Sequence, residues 1–267
     1  MKQPHIIAFA TQKGGAGKST ITTHTASVLA YHYGYKVAVV DCDYPQNTLN
    51  AYRVEEQNRL EEPAFQARLL KQDVTPYPII VTNMENVDAC LDSLEENEYD
   101  FILVDTPGTV NVVGITELLA RVDYIFLPLE PDKGTIASTM SYMGILEQFL
   151  NSNNADSQLK GYYAFWNKYV KSEKKGIYDK TEALFQEMKL PLLHSRVEQM
   201  IIYKDSRSTY FPLSEKDLGR LGFGALLMEI LTLVLGEGAV TPSGHTLNLR
   251  VEEVAGATEA TEVAAGE

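Results

Sequence analysis

The stretch that decides the fold is His5-Ile6-Ile7-Ala8-Phe9-Ala10-Thr11-Gln12-Lys13-Gly14-Gly15-Ala16-Gly17-Lys18-Ser19-Thr20. An apolar, β-branched run breaks into a glycine-rich turn and then into helix-compatible residues from Lys18. That order, strand, glycine loop, helix, is the context a phosphate-binding loop requires. Gly14, Gly15 and Gly17 lack a Cβ, so the backbone can curl until several N–H groups point into one concavity. The positive end of the following helix adds to the attraction for an anion. Gly14, Gly15, Ala16, Gly17, Lys18, Ser19 and Thr20 are therefore the candidate phosphate cradle. Lys18 offers an ammonium to the β- and γ-phosphates, and Ser19 a hydroxyl to Mg²⁺.

The common form of this loop, G-x-x-x-x-G-K-[ST], begins with a glycine five residues before its last glycine; here that position is Gln12, and a second lysine, Lys13, precedes the glycines. Lys13-Gly-Gly-Ala-Gly-Lys-Ser-Thr20 resembles the deviant Walker A loop of the ParA/MinD family of ATPases. The resemblance implies ATP as the nucleotide, Mg²⁺ as its partner ion, hydrolysis to ADP and phosphate, and a homodimer formed with ATP. It also implies that Lys13 reaches across the dimer to the partner's bound ATP.

Further motifs fall at strand ends. Lys36 to Asp41 is a short apolar strand that ends in Asp41-Cys42-Asp43-Tyr44-Pro45-Gln46, carboxylates where open α/β sheets place ligands. The family counterpart reads Asp-x-Asp-Pro-Gln, and its second Asp orients the attacking water, which points to Asp43. Tyr44 is an extra residue in this chain, and it leaves the roles of Asp41 and Asp43 open. Tyr99 to Gly108 runs through Phe-Ile-Leu-Val into Asp105-Thr-Pro-Gly and looks like a Walker B strand, with Asp105 holding Mg²⁺ through its water shell. A further strand from Val122 precedes a helix over 135–150. Another, from Leu159, ends at Asn167-Lys168, where the family's Asn reads the adenine edge. Residues 189–212 correspond to a family segment beside the base, with Arg196 as a candidate neighbour, and 213–235 reads as one closing helix.

Composition narrows the classes. The chain has 267 residues, enough for a substantial core, and no apolar run approaches the roughly 20 residues a membrane helix needs. No signal-peptide pattern precedes the first strand, and the two cysteines, Cys42 and Cys90, have no metal-ligand spacing. A reduced, cytoplasmic setting is the expectation, nucleoid-associated if DNA is bound. The formal charge of −13 is uneven: residues 160–220 hold 12 Lys/Arg against 8 Asp/Glu, while 221–267 hold one Arg against seven Glu. The basic segment is a candidate face for duplex DNA, through Lys171, Lys174, Lys175, Lys204 and Arg207. Residues 237–267 are rich in Glu, Ala, Thr and Gly and read as an acidic, disordered tail, unlike the basic amphipathic helix by which MinD-type relatives hold membranes.

The expected fold is a three-layer α/β domain over residues 1–236, a mostly parallel twisted sheet with helices on both faces, followed by the tail. The expected task is an ATP-dependent dimerisation switch in partition or positioning of a plasmid, chromosome or mobile element, with nonspecific double-stranded DNA and a small DNA-binding adaptor as partners and no membrane. Three rivals share the loop. A MinD-like positioning or regulatory ATPase would not bind DNA. A metabolic enzyme of the dethiobiotin synthetase type would act on a small substrate. An iron–sulfur ATPase of the nitrogenase-reductase type needs cysteines after Asp105, and there are none.

Overall fold

The computed structural model describes residues 3–72, 75–108, 113–151, 157–171, 176–199, 201–220 and 222–246, without the side chains of Lys204 and Asp205. Seven strands form one sheet: β1 (His5–Phe9), β2 (Val37–Asp41), β3 (Ile79–Val81), β4 (Phe101–Asp105), β5 (Tyr124–Leu129), β6 (Gly161–Tyr169) and β7 (Leu192–Glu198). Their order is β3-β2-β4-β1-β5-β6-β7, and every pairing is parallel. The sheet is thus wholly rather than mostly parallel. Such a sheet must be covered on both faces, and this explains why β2 and β4 are unbroken apolar runs buried along their whole length.

The period-2 alternation of the strands splits the core cleanly. Ile6, Ala8, Ala38, Val40, Ile102, Val104, Ile125 and Leu127 face one layer, built from α4 (Val87–Glu95), α5 (Ile115–Arg121), α6 (Lys133–Asn151) and α7 (Gly176–Glu187). Ile7, Phe9, Val37, Val39, Phe101, Leu103, Phe126 and Phe165 face the other, where α1 (Lys18–Tyr31) and α10 (Phe223–Leu235) pack. The polar stretch after Asp43 forms α2 (Thr48–Gln57) and α3 (Pro63–Gln72). These lie over a small aromatic cluster of Phe65, Tyr210 and Phe211.

Two expectations change. The closing helix is broken into α9 (Glu215–Arg220) and α10, because Gly222 adopts φ 75 and a Cβ there would lie 2.1 Å from the Arg196 carbonyl oxygen. β7 passes so close that the chain must turn left-handed before the apolar helix can begin. The ordered chain also runs past 236. Val240 bridges to Thr246, the Ser243 N–H donates to the Tyr33 carbonyl at 3.1 Å, and Thr241 is buried. Residues 240–246 therefore cap the C-terminal end of α1 instead of belonging to a free tail. The remainder of that tail, 247–267, lies outside the described residues.

Candidate functional site

β1, β2 and β4 lie side by side, so their parallel registers bring Phe9, Asp41 and Asp105 to one level at the carboxyl edge of the sheet. The glycine loop leaves β1 at that edge and opens into α1, whose cap, Gly17, has φ 89. A Cβ on Gly17 would come within 2.7 Å of the Asn167 amide nitrogen. Two side chains from the end of β6 hold the loop from outside: Asn167 Nδ2 donates to the Ala16 carbonyl at 2.7 Å, and Lys168 Nζ to the Gly15 carbonyl at 2.7 Å. Lys168 is itself paired with Glu130 at the end of β5. The loop's carbonyls are thereby turned outward, and the N–H groups are left for an anion.

A cavity of about 380 Å³ opens in front of the loop, lined by Gly14, Gly15, Gly17, Lys18, Ser19 and Thr20 on one side and by Asp43, Gln46, Thr48, Tyr52 and Gly108 on the other. Lys18 is buried at its base. Ser19 Oγ donates to Asp105 Oδ2 at 2.6 Å. The other carboxylate oxygen, Asp105 Oδ1, is buried without a partner. Burial pushes the Asp105 carboxyl up to about 7; the Ser19 bond and the Lys18 charge pull it back, while Asp41 and Asp43 add to the rise. An unpartnered, buried carboxylate oxygen next to a serine hydroxyl is a donor set that fits a hard cation such as Mg²⁺. Among the described residues no group of three or more His, Cys, Asp or Glu could hold a metal by itself, in keeping with an ion that leans on phosphate and water for most of its ligands.

The two aspartates after β2 are distinct. Asp41 is fully buried and accepts backbone N–H bonds from Asp43 at 3.3 Å and from Asn50 at 3.0 Å, so it pins the loop to the start of α2. Burial raises its pKa. Asp43 is half-buried and faces the cavity. Lys13 is exposed and turned onto its own chain, with Nζ 2.9 Å from Asp132 Oδ1 and 3.1 Å from Thr135 Oγ1. Lys13, with help from the Thr135 N–H and hydroxyl, holds the Asp132 carboxyl down at about 2.

A second cavity, of about 200 Å³, shares Gly17 and Thr20 with the first and continues over Ile21, Asn167, Lys168, Glu198, Gln199, Ile201 and Tyr203. Asn167 lines this second cavity, with Glu198, Gln199, Ile201 and Tyr203 also on its walls. Sequence reasoning missed Glu198 and Gln199 because β7, which ends at Glu198, has no clear apolar pattern, and Tyr203 because it sits on the four-residue helix α8 (Ile202–Asp205). Arg196 goes elsewhere: it pairs with Glu182 at 2.7 Å and lies over the Tyr169 ring. Of the expected DNA contacts, Lys171 pairs with Glu198 at 2.6 Å and Arg207 stacks on Tyr52. Lys174 and Lys175, and the side chain of Lys204, lie outside the described set.

The family model of the ATPase MipZ matches residues 5–132, which span the loop, both aspartates and Asp105. The virulence plasmid ParA family protein pGP5-D of Chlamydia psittaci is 24% identical over 185 residues, 56% of this chain and 71% of the relative. The sporulation initiation inhibitor protein Soj of Bacillus subtilis is 24% identical over 183 residues, 58% of this chain and 70% of the relative. A plasmid partition protein of Borrelia burgdorferi solved with AMPPNP has the same fold, with a TM-score of 0.59 and 19% identity, over 88% of this chain and 99% of that one. The glycine loop with its preceding lysine at the head of a parallel sheet, the family-model match and these relatives make the chain similar to the ParA/MinD family of ATPases.

Proposed function

We propose that the protein is a Mg²⁺-dependent ATPase that works as a slow switch rather than a metabolic catalyst. The observation that carries this reading is the Ser19–Asp105 bond at 2.6 Å with Asp105 Oδ1 left unpartnered, beside a buried Lys18 in an open cradle. That arrangement has a use only when a phosphate chain and a cation complete it. The loop N–H groups and Lys18 bind and orient the phosphates; Ser19 and Asp105 would hold the ion, which would supply charge neutralisation to the phosphates. Asp43, facing the same cavity, positions a water for in-line attack. Asn167 and the 198–203 wall accept the base. The test is hydrolysis of ATP with Mg²⁺ by the purified chain and its loss in Lys18→Ala. Turnover unchanged by that substitution would refute the site.

The reading extends to a dimer joined through ATP, with Lys13 leaving Asp132 to meet the partner's nucleotide, and to partition or positioning of a DNA element as in the plasmid and chromosome relatives. Hydrolysis removes the γ-phosphate contacts and with them the preference for the dimer. Nonspecific binding to duplex DNA and a small DNA-binding adaptor belong to this reading; the positive balance of residues 160–220 supports the first. A cytoplasmic or nucleoid-associated setting fits it, and no described helix is long and apolar enough to cross a membrane.

A further inference from the structure

Tyr52 and Arg207 belong to none of the nucleotide motifs, yet Tyr52 lines the phosphate cavity and Arg207 stacks on its ring. Tyr52 lies one turn into α2, where its ring faces the same space as Asp43, Gln46 and Lys18. Among the described residues its hydroxyl has no hydrogen-bond partner. The Arg207 guanidinium carbon lies 3.4 Å from the centre of that ring. So short a distance requires the planar guanidinium to lie flat on the ring face. Among the described residues Arg207 has no carboxylate partner, although it is half-buried behind the Tyr52 ring.

The two cavities fix which part of a nucleotide Tyr52 would meet. Gly17 and Thr20 line both and therefore mark the middle of the ligand. Asn167 and Tyr203 lie on the base side of that middle. Tyr52 and Asp43 lie on the other side, at the terminal-phosphate end. Burial holds the Tyr52 phenol above its ordinary titration range, with Arg207 pulling it back and Asp105 and Asp41 pushing it further up. The phenol therefore keeps its proton at neutral pH and is a donor. A cation on the ring face draws electron density from the ring and strengthens that O–H donor.

We infer that Tyr52 discriminates the triphosphate from the diphosphate, its hydroxyl donating to a terminal phosphate oxygen while the stacked Arg207 fixes the ring and sharpens the donor. The inference rests on the nucleotide reading above and deepens it. Arg207 acts through Tyr52 and is a positioning residue rather than a DNA contact.

The experiment measures the affinities of the full chain, with Mg²⁺, for a non-hydrolysable ATP analogue and for ADP, by calorimetry. Tyr52→Phe should lower analogue affinity about tenfold and leave ADP affinity within about twofold, the size expected for one charge-assisted hydrogen bond. Arg207→Met should reproduce most of that loss, and Arg207→Lys should recover part of it. Thermal melting of each variant checks that the fold is kept; Tyr52→Phe removes a single oxygen. If Lys18→Ala abolishes binding while Tyr52→Phe and Arg207→Met leave the analogue-to-ADP preference unchanged, the inference fails and the nucleotide site stands. An equal loss for both nucleotides would make Tyr52 a structural wall and also overturn it. Wild-type protein that binds neither nucleotide would remove the site itself, and this inference with it.

Discussion

Asp41 and Asp43 stand two residues apart, and the backbone needs only the first. With Asp41 accepting N–H bonds from Asp43 and Asn50, Asp41→Ala leaves those donors unpaired and the loop unpinned. Its expected cost is about 1–3 kcal/mol in urea unfolding. Asp43→Ala should leave stability and ATP binding near wild type while slowing hydrolysis at least about a hundredfold, the range for a lost positioning group. A stable Asp41→Ala with a slow rate, and a fast Asp43→Ala, would reverse the two roles. His24 makes a second residue-scale case. It is fully buried in α1, its Nε2 lies 3.0 Å from the Tyr203 carbonyl, and its Nδ1 has no partner. Burial brings its pKa down to about 4, opposed by the Tyr203 bond and aided by the Arg207 charge. The unfolded chain protonates this group near 6.5, so between 6.5 and 4 the unfolded state holds more protons and stability falls as pH falls. The loss, absent above 6.5, amounts to roughly 3 kcal/mol by the time pH reaches 4. His24→Gln should be less stable at pH 7 yet show a shallower loss on acidification. An unchanged slope would mean that other groups carry the acid sensitivity.

At the scale of elements, Gly222 tests why the last helix begins where it does. Gly222→Ala must place a Cβ against the Arg196 carbonyl and hold φ 75 without glycine's freedom, so a loss of at least about 2 kcal/mol in unfolding by urea is expected. A loss under about half a kcal/mol would show that β7 yields instead. The break was not legible because it depends on a neighbour brought close by the fold, whereas helix periodicity runs through 213–235 without interruption. β1, β2, β4 and β5 were legible for the opposite reason: central parallel strands are buried on both faces and so spell continuous apolar runs. β7 is the edge of the sheet, and its Leu-Leu-His-Ser-Arg-Val-Glu alternates with no simple period. Its pairing with β6 shifts register, and the buried Glu229 of α10 accepts both the His194 and the Ser195 N–H at 2.9 Å. The same contrast governs the site. Lys18, Ser19 and Asp105 could be named from local motifs, but Tyr52, Tyr203 and the Asp132 partner of Lys13 come from segments joined only in three dimensions.

For the whole molecule, the position of Lys13 bears on how two copies could meet. Its ion pair with Asp132 is exposed by about half on each side, so exchanging it for a partner's phosphate gives up little. In the proposed symmetric dimer a γ-phosphate contact in trans would offset that loss, because it would be charge-assisted and made twice. Lys13→Ala should therefore bind ATP as a monomer, while wild-type protein with ATP and Mg²⁺ doubles its mass by light scattering. The dimer also sets the expectation for DNA. A single copy carries −13 overall, and of its candidate cations Lys171 is neutralised by Glu198 and Arg207 is turned onto Tyr52. Phosphate contacts from one copy are too few for useful affinity, but two linked copies double them on a shared duplex. Binding should thus appear only with ATP, ignore sequence, weaken steeply with salt, and vanish in Lys13→Ala. If the acidic residues beyond 246 compete for the same basic face, removing 247–267 should tighten binding, whereas cutting back to 239 would also remove the contact with Tyr33 at the end of α1 and cost stability. A wild-type dimer that ignores duplex DNA at low salt, with or without 247–267, would end the DNA-partition reading and favour a positioning or regulatory ATPase that works through proteins.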